Sequence, residues 1–295
     1  MKSGFVSLIG RPNTGKSTLL NTIINEKVAI ISDKAGTTRN IIQGIYNEED
    51  LQIVFVDTPG IGKPSNKLNK ILNKEALALT KDVDVILFVV DIASGFGVGD
   101  RKILKMLETE EVPVILVLNK IDKIKNDDLL VKINEVKDLY DFAEIVPISG
   151  LHKDNTDRLI YCIKKYLTDT VRYFGEDEFT SQSSSFMASE LVREKLLNKT
   201  EEEVPHALTC YTTLFEEKKQ VINICVDVIV DRDSLKKIVI GKRGEKLKSV
   251  GIEARKDLER LFGKKVFLET YVKTIKNWKD KEKYLKELGF NDLDE

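Results

Sequence analysis

GRPNTGKS, residues 10 to 17, stands between an apolar run, FVSLIG (5–10), and an amphipathic stretch, 16–25. A glycine-rich loop that leaves a strand and opens a helix turns its backbone N–H groups inward, around phosphate oxygens. The spacing fits GxxxxGK[ST], which places Lys16 on the β- and γ-phosphates and Ser17 on Mg²⁺. Gly10, Asn13, Thr14, Gly15 and Thr18 complete the expected phosphate cradle.

Outward from this loop the chain alternates. LQIVFVD (51–57), DVILFVVD (84–91), PVILVLNK (113–120) and AEIVPIS (143–149) read as buried parallel strands. Helical patterns fall between them at 66–80, 97–109, 126–140 and 153–167. IIQGIYNEED (41–50) supplies one more strand, antiparallel to 51–57. This order predicts a doubly wound α/β P-loop domain with a mostly parallel sheet over residues 1–170.

Bulk composition narrows the rest. A length of 295 residues suggests two domains, and 47 basic against 48 acidic residues predict no partner by global charge. Cys162, Cys210 and Cys225 lack metal-like spacing, and His152 and His206 are too far apart in sequence to suggest zinc. The longest apolar run, VDVILFVV (83–90), is too short to span a bilayer, and MKSGFVSLIG runs into the phosphate loop without a leader. A soluble, cytoplasmic protein is expected.

Three later motifs choose the nucleotide. Asp57-Thr58-Pro59-Gly60 ends the strand 51–57, where an aspartate holds Mg²⁺ and the Gly60 N–H senses the γ-phosphate. Asn119-Lys120-Ile121-Asp122 ends the strand 113–120. A carboxylate there accepts from both N1–H and the exocyclic amine of guanine; adenine has no N1 donor and would leave it unpaired. Ser149-Gly150 ends the strand 143–149, placed to reach the guanine carbonyl through backbone N–H. All four pieces fall at C-terminal strand ends, where open α/β sheets bind ligands. The loop SDKAGTTR (32–39) predicts an order–disorder switch with Thr38 as its Mg²⁺ ligand and Thr37 in reserve. Lys16, Thr38 and Gly60 are therefore the expected catalytic groups, and Ser17, Thr38 and Asp57 the expected metal ligands. Ile61 stands where signalling GTPases have a water-orienting glutamine, so slow intrinsic hydrolysis is expected.

Composition shifts after 170, and 171–185 reads as a linker. Beyond it the order is helix (186–199), strand (208–215), strand (220–230), short helix (233–239), the loop GKRG, helix (245–262) and strand (266–273). Ile240-Gly241-Lys242-Arg243-Gly244 between two helices is how the GxxG loop of a KH domain sits, clamping a nucleic-acid backbone. A lone GxxG is also a common helix-ending turn. The charge favours the clamp: residues 231–279 hold 15 basic against 7 acidic, whereas 280–295 hold 3 against 6. Lys242, Arg243, Lys246 and Lys248 are the expected backbone contacts, and Ile238, Ile240, Leu247, Val250 and Ile252 the expected apolar floor. The KH domain is placed at 186–279 and a tail at 280–295.

GRPNTGKST, GTTR, DTPGI, NKID, EVPH (203–206), DRDSLKKIVIGKRGEKLKSVG and Val272-Lys273…Asn277-Trp278 together resemble the Era family of bacterial GTPases over nearly the whole chain. The resemblance implies a G domain followed by a type II KH domain, a GTP/GDP cycle with Mg²⁺, and GTP favouring the RNA-binding arrangement. It implies binding to the 3′ end of 16S rRNA, a role in assembly of the 30S subunit, a monomer, and peripheral association with the inner membrane. Similarity to cation-dependent relatives places K⁺ beside Asn13. Two departures stand out: Ser149-Gly150 replaces the usual Ser-Ala, and Ala35 precedes Gly36-Thr37-Thr38 where many members have glutamine before the threonines. A GTP-binding RNA or membrane scaffold with negligible hydrolysis is the second reading, and Ile61 supports it.

Overall fold

The computed structural model describes residues 1–290. The chain divides into two compact units. The first comprises Met1–Ala29, Thr38–Ser65 and Asn69–Ser181; the second comprises Ile30–Thr37, Asn66–Leu68 and the chain from Gln182 onward.

In the first unit, six strands form one sheet in the order β2-β3-β1-β4-β5-β6. They are β1 (Lys2–Ile9), β2 (Ile42–Glu48), β3 (Leu51–Asp57), β4 (Val85–Asp91), β5 (Val114–Asn119) and β6 (Glu144–Pro147). β2 runs antiparallel to β3, pairing Ile42 with Asp57 and Glu48 with Leu51, and the other pairs are parallel. β3 and β5 are buried at every position, which is why they are continuous apolar runs without alternation. The helices are α1 (Lys16–Ile24), α2 (Lys67–Ala78), α3 (Val98–Leu107), α4 (Asn126–Val136) and α5 (Thr156–Tyr166). The alternating pattern thus gives the expected doubly wound P-loop fold, with element ends shifted by a few residues.

The segment read as a linker is held along β2, the sheet's edge strand. Ile45 N–H donates to Phe179 O (2.9 Å), and Thr180 Oγ1 donates to Gln43 O (2.7 Å). Gln52 accepts from Tyr173 N–H (2.7 Å) and donates to Phe174 O (2.9 Å). Covering an edge strand this way satisfies main-chain groups and blocks stray pairing. The segment contributes mainly its own main-chain groups, which the Asn47 and Gln52 side chains meet, so it leaves no apolar period in the sequence.

The second unit has a three-stranded sheet, β7-β8-β9, with β7 (Leu208–Glu217) antiparallel and β9 (Lys265–Thr274) parallel to β8 (Val221–Val230). Its helices are α6 (Ser184–Lys199), α7 (Val204–Ala207), α8 (Asp233–Ile240), α9 (Glu245–Phe262) and α10 (Glu282–Glu287). Leu191, Leu196, Val226, Val228, Leu235, Val250, Ala254 and Leu258 form its core, and Ile30 belongs to the same cluster. Trp278 is fully buried and donates through Nε1 to Ala207 O (3.1 Å). This is the expected KH arrangement: helix, antiparallel strand pair, two helices around a short loop, and a parallel third strand. The tail placed at 280–295 carries α10, with Leu285 and Phe290 buried, and its last five positions lie outside the described residues.

Candidate nucleotide site and nucleic-acid face

β1 delivers the chain to the loop 10–15, and α1 takes over at Lys16. Close approach requires two of the glycines. A Cβ on Gly10 would lie 2.3 Å from Val89 O, and one on Gly15, at φ 92°, 2.4 Å from Asn119 Nδ2. Gly15 caps α1 without a side chain, so the first-turn N–H groups of Lys16, Ser17 and Thr18 receive no side-chain cap. Such a helix start attracts anions. The buried Lys16 ammonium bends back onto the loop, donating to Gly10 O (3.1 Å) and Arg11 O (3.0 Å). Burial pushes Lys16 down to about 8 against the pull of Asp57. A phosphate in the loop would raise it again.

Three side chains meet at the end of α1's first turn. Ser17 Oγ donates to Asp57 Oδ2 (2.5 Å) and lies 2.9 Å from Thr38 Oγ1. Asp57 is fully buried, and its Oδ1 has no hydrogen-bond partner among the described residues. Burial lifts its carboxyl to about 6, against Lys16 and the hydroxyls of Ser17 and Thr38. Two hydroxyls and a half-satisfied buried carboxylate form an all-oxygen set of the kind a hard divalent cation takes. Thr37 is not part of it, because its hydroxyl donates to Lys34 O (2.6 Å). Gly60 lies against the loop so closely that a Cβ would stand 2.6 Å from Pro12 N. Ile61 N–H donates to Gly10 O (3.2 Å) while its side chain is buried in the core of the first unit.

The base end is built by Asn119. It donates to Thr14 O (2.9 Å) and accepts from Gly150 N–H (2.9 Å) and Lys120 N–H (2.8 Å). Ser149 Oγ donates to Asp122 Oδ1 (2.5 Å). Glycine at 150 is held on both sides of its peptide: its carbonyl also accepts from Thr22 Oγ1 (2.6 Å), and a Cβ would come within 3.4 Å of Leu19 Cα. Lys120 donates to Asn13 O (2.6 Å) and pairs with Asp91 (2.7 Å). Burial opposes the Asp91 charge, but Lys120 and Ser94 outweigh it and hold the carboxyl below its usual range. Sequence does not single out Asp91, which ends β4 and has no motif of its own.

On the second unit, Gly241 (φ 75°) and Gly244 (φ 78°) both have positive φ, and a Cβ on Gly241 would lie 2.7 Å from Lys246 Cβ. Lys242, Arg243 and Lys248 are exposed, and Lys246 is half-buried. An open groove of about 390 Å³ starts at Gly244 and is lined by Leu247, Lys248, Gly251, Ile252, Arg255, Leu268 and Thr270. Leu247 and Ile252 line it as expected. Val250 does not: it is fully buried in the core. The reason is helical period, since Val250, Ala254 and Leu258 form the inward stripe while Leu247, Gly251 and Arg255 form the adjacent one. Ile240 packs against the core cluster and Ile238 is exposed. Neither lines the groove; β9 contributes Leu268 and Thr270 instead.

Comparison with known proteins matches these parts. The family described as "50S ribosome-binding GTPase" matches residues 5–120, and the KH domain family matches 203–279. A crystal structure of a point variant of Aquifex aeolicus Era bound to GDP·AlF4⁻ superposes with TM-score 0.95 and 39% identity, covering 98% of this chain and 99% of its own. The chain belongs to the Era family. A second Era structure, in complex with MgGDPNP and nucleotides 1506–1542 of 16S ribosomal RNA, matches equally: TM-score 0.95, 39% identity, 98% of this chain and 99% of that one. This Era-family chain is thus a GTPase with a C-terminal KH domain.

Proposed function

We propose that this Era-family GTPase runs an Mg²⁺-dependent cycle of GTP binding and slow hydrolysis. In its GTP state it binds the 3′ end of 16S rRNA through the KH groove. Its role is assembly of the 30S subunit, as a cytoplasmic monomer with peripheral contact to the inner membrane. Among the described residues, no helix is long and apolar enough to cross a membrane.

The observation that carries the nucleotide half is the cluster of Ser17 and Thr38, both half-buried, around the fully buried Asp57 with its unpartnered carboxylate oxygen. Those three residues would hold Mg²⁺, which neutralises charge on the phosphates when bound. Lys16 exchanges the carbonyls of Gly10 and Arg11 for phosphate oxygens. The Gly60 N–H reports the γ-phosphate, and Asp122 reads guanine with the backbone of Ser149 and Gly150. Asn119, through Thr14 O and Gly150 N–H, holds the phosphate loop and base loop at fixed spacing. Because the Ile61 side chain is in the core, water is positioned by backbone groups and cations, among them K⁺ beside Asn13. The RNA half rests on the positive-φ loop Gly241–Gly244 and the groove beside it, with Lys242, Arg243, Lys246 and Lys248 toward the phosphodiester backbone. The Era structure solved with a 16S rRNA fragment supports this assignment.

The buried Ile61 also favours the second reading, a scaffold that holds GTP without turning it over. Phosphate release with GTP in excess, in Mg²⁺ and K⁺, separates the two. The proposal expects many equivalents of phosphate per protein; release that stops at or below one equivalent would leave the scaffold.

A further inference from the structure

The segment Ile30–Thr37 is held by α6 through charges, not only by apolar contact. Ile30 is buried in the second unit's core. Ile31 N–H donates to Glu194 Oε1 (3.1 Å). Arg193 Nη2 donates to Thr37 O (2.5 Å), 156 residues away in sequence. The same guanidinium makes a two-pronged pair with Glu190, Nε to Oε1 (2.7 Å) and Nη2 to Oε2 (2.6 Å).

All three side chains are buried: Glu190 is 5% exposed, Arg193 1% and Glu194 4%. Spaced i, i+3 and i+4, they share one face of α6. An apolar trio there would fold at least as stably, since desolvating an ion pair offsets much of its attraction. What apolar side chains cannot do is grip a loop by its main chain in one register. Arg193 does so with a planar fork whose direction Glu190 fixes. Its Nη1 is buried without a partner among the described residues, so the guanidinium serves Glu190 and this one carbonyl rather than a wider network.

Thr37 precedes Thr38, whose hydroxyl lies 2.9 Å from Ser17 Oγ. We propose that Arg193, oriented by Glu190, is a positioning residue for the nucleotide site: by holding the Thr37 carbonyl it sets the Thr38 hydroxyl for the GTP-bound metal. This rests on the reading of Thr38 as a metal ligand. It makes the first helix of the RNA-binding unit a determinant of GTP-over-GDP preference, because Thr38 acts only when the triphosphate is present.

The test compares the affinities of GDP and a non-hydrolysable GTP analogue across a Mg²⁺ titration. Arg193→Met with Glu190→Leu removes both charges and leaves no lone buried ion; Arg193→Lys keeps the charge without the fork. Thermal midpoints without nucleotide report folding. The proposal expects GDP affinity to stay within about twofold in both variants. Analogue affinity should fall about tenfold in the double variant, as loss of a charge-assisted hydrogen bond predicts, with more Mg²⁺ needed, and by less in Arg193→Lys. An unchanged analogue-to-GDP ratio in both, while Thr38→Ala lowers it, would overturn the proposal and leave Arg193 structural. If Thr38→Ala also leaves the ratio unchanged, the metal-ligand reading fails and takes the proposal with it. Should the double variant not fold, Arg193→Lys alone decides.

Discussion

The hydroxyls of Ser17 and Thr38 lie 2.9 Å apart across 21 residues of chain, and both flank the buried Asp57. Thr37, one residue away, turns its hydroxyl onto Lys34 O. The two threonines are therefore distinguishable. Thr38→Ala should weaken binding of a GTP analogue about tenfold at limiting Mg²⁺ and leave GDP binding unchanged. Thr37→Ala should change neither beyond about twofold. Equal effects from both would mean the loop is not held as described.

Asp122, the proposed base-reading carboxylate, accepts from Ser149 Oγ. Asp122→Asn exchanges an acceptor for a donor where guanine offers two donors. GTP affinity should drop at least about a hundredfold. Xanthosine triphosphate, which carries a carbonyl in place of the exocyclic amine, should recover much of the loss. Undiminished GTP binding in the variant would remove Asp122 from base recognition.

Burial lifts the Glu75 carboxyl on α2 from 4.5 to about 7. Its folded value lies above its unfolded one, so the native state binds more proton in that window. This contribution to stability is present below about 4.5 and lost as pH rises toward 7. Glu75→Gln should flatten that part of the pH dependence of thermal unfolding and raise stability at pH 8. An identical slope in the variant would show that Glu75 titrates normally.

On α9, Val250 faces the core and Leu247 faces the groove. Val250→Ala should cost about 1–3 kcal/mol of stability with little effect on RNA binding by the folded protein. Leu247→Ser, at a half-buried position that also touches the core, should lower RNA affinity and cost less stability than Val250→Ala. Lys248→Ala, removing one phosphate contact, should lower the slope of log affinity against log salt by about 0.7. Chemical denaturation and RNA titrations at several salt concentrations read all three.

The parts of the site that share a local pattern are legible in the sequence. A phosphate loop must join a strand to a helix: Gly10 follows the end of β1 and Lys16 and Ser17 open α1, while Asp57 and Asn119 end β3 and β5 and Asp122 lies in the turn after β5, the edge at which open α/β sheets bind ligands. The span of α9, Glu245 to Phe262, is equally legible. Its two faces are not, because apolar residues sit on both, and Val250 reads as floor when it is core. Three features have no local signal. Asp91 reaches Lys120 only because β4 and β5 are neighbours. Residues 172–181 meet β2 mainly through main-chain atoms, which carry no sequence period. The grip on Thr37 comes from the Arg193–Glu190 pair on a helix 156 residues away, and such a pair reads as an ordinary exposed helical face.

The central claim is that GTP gates RNA binding. The direct measurement is fluorescence anisotropy of a labelled oligonucleotide from the 16S rRNA 3′ end, with GDP and with a non-hydrolysable GTP analogue, on the unsubstituted protein and on Gly241→Asp. Gly241 has φ 75° and no room for a Cβ beside Lys246, so the substitution distorts the loop and adds a negative charge toward the RNA. The account predicts tighter binding with the analogue than with GDP, abolished by Gly241→Asp. Equal affinity in the two nucleotide states would contradict it.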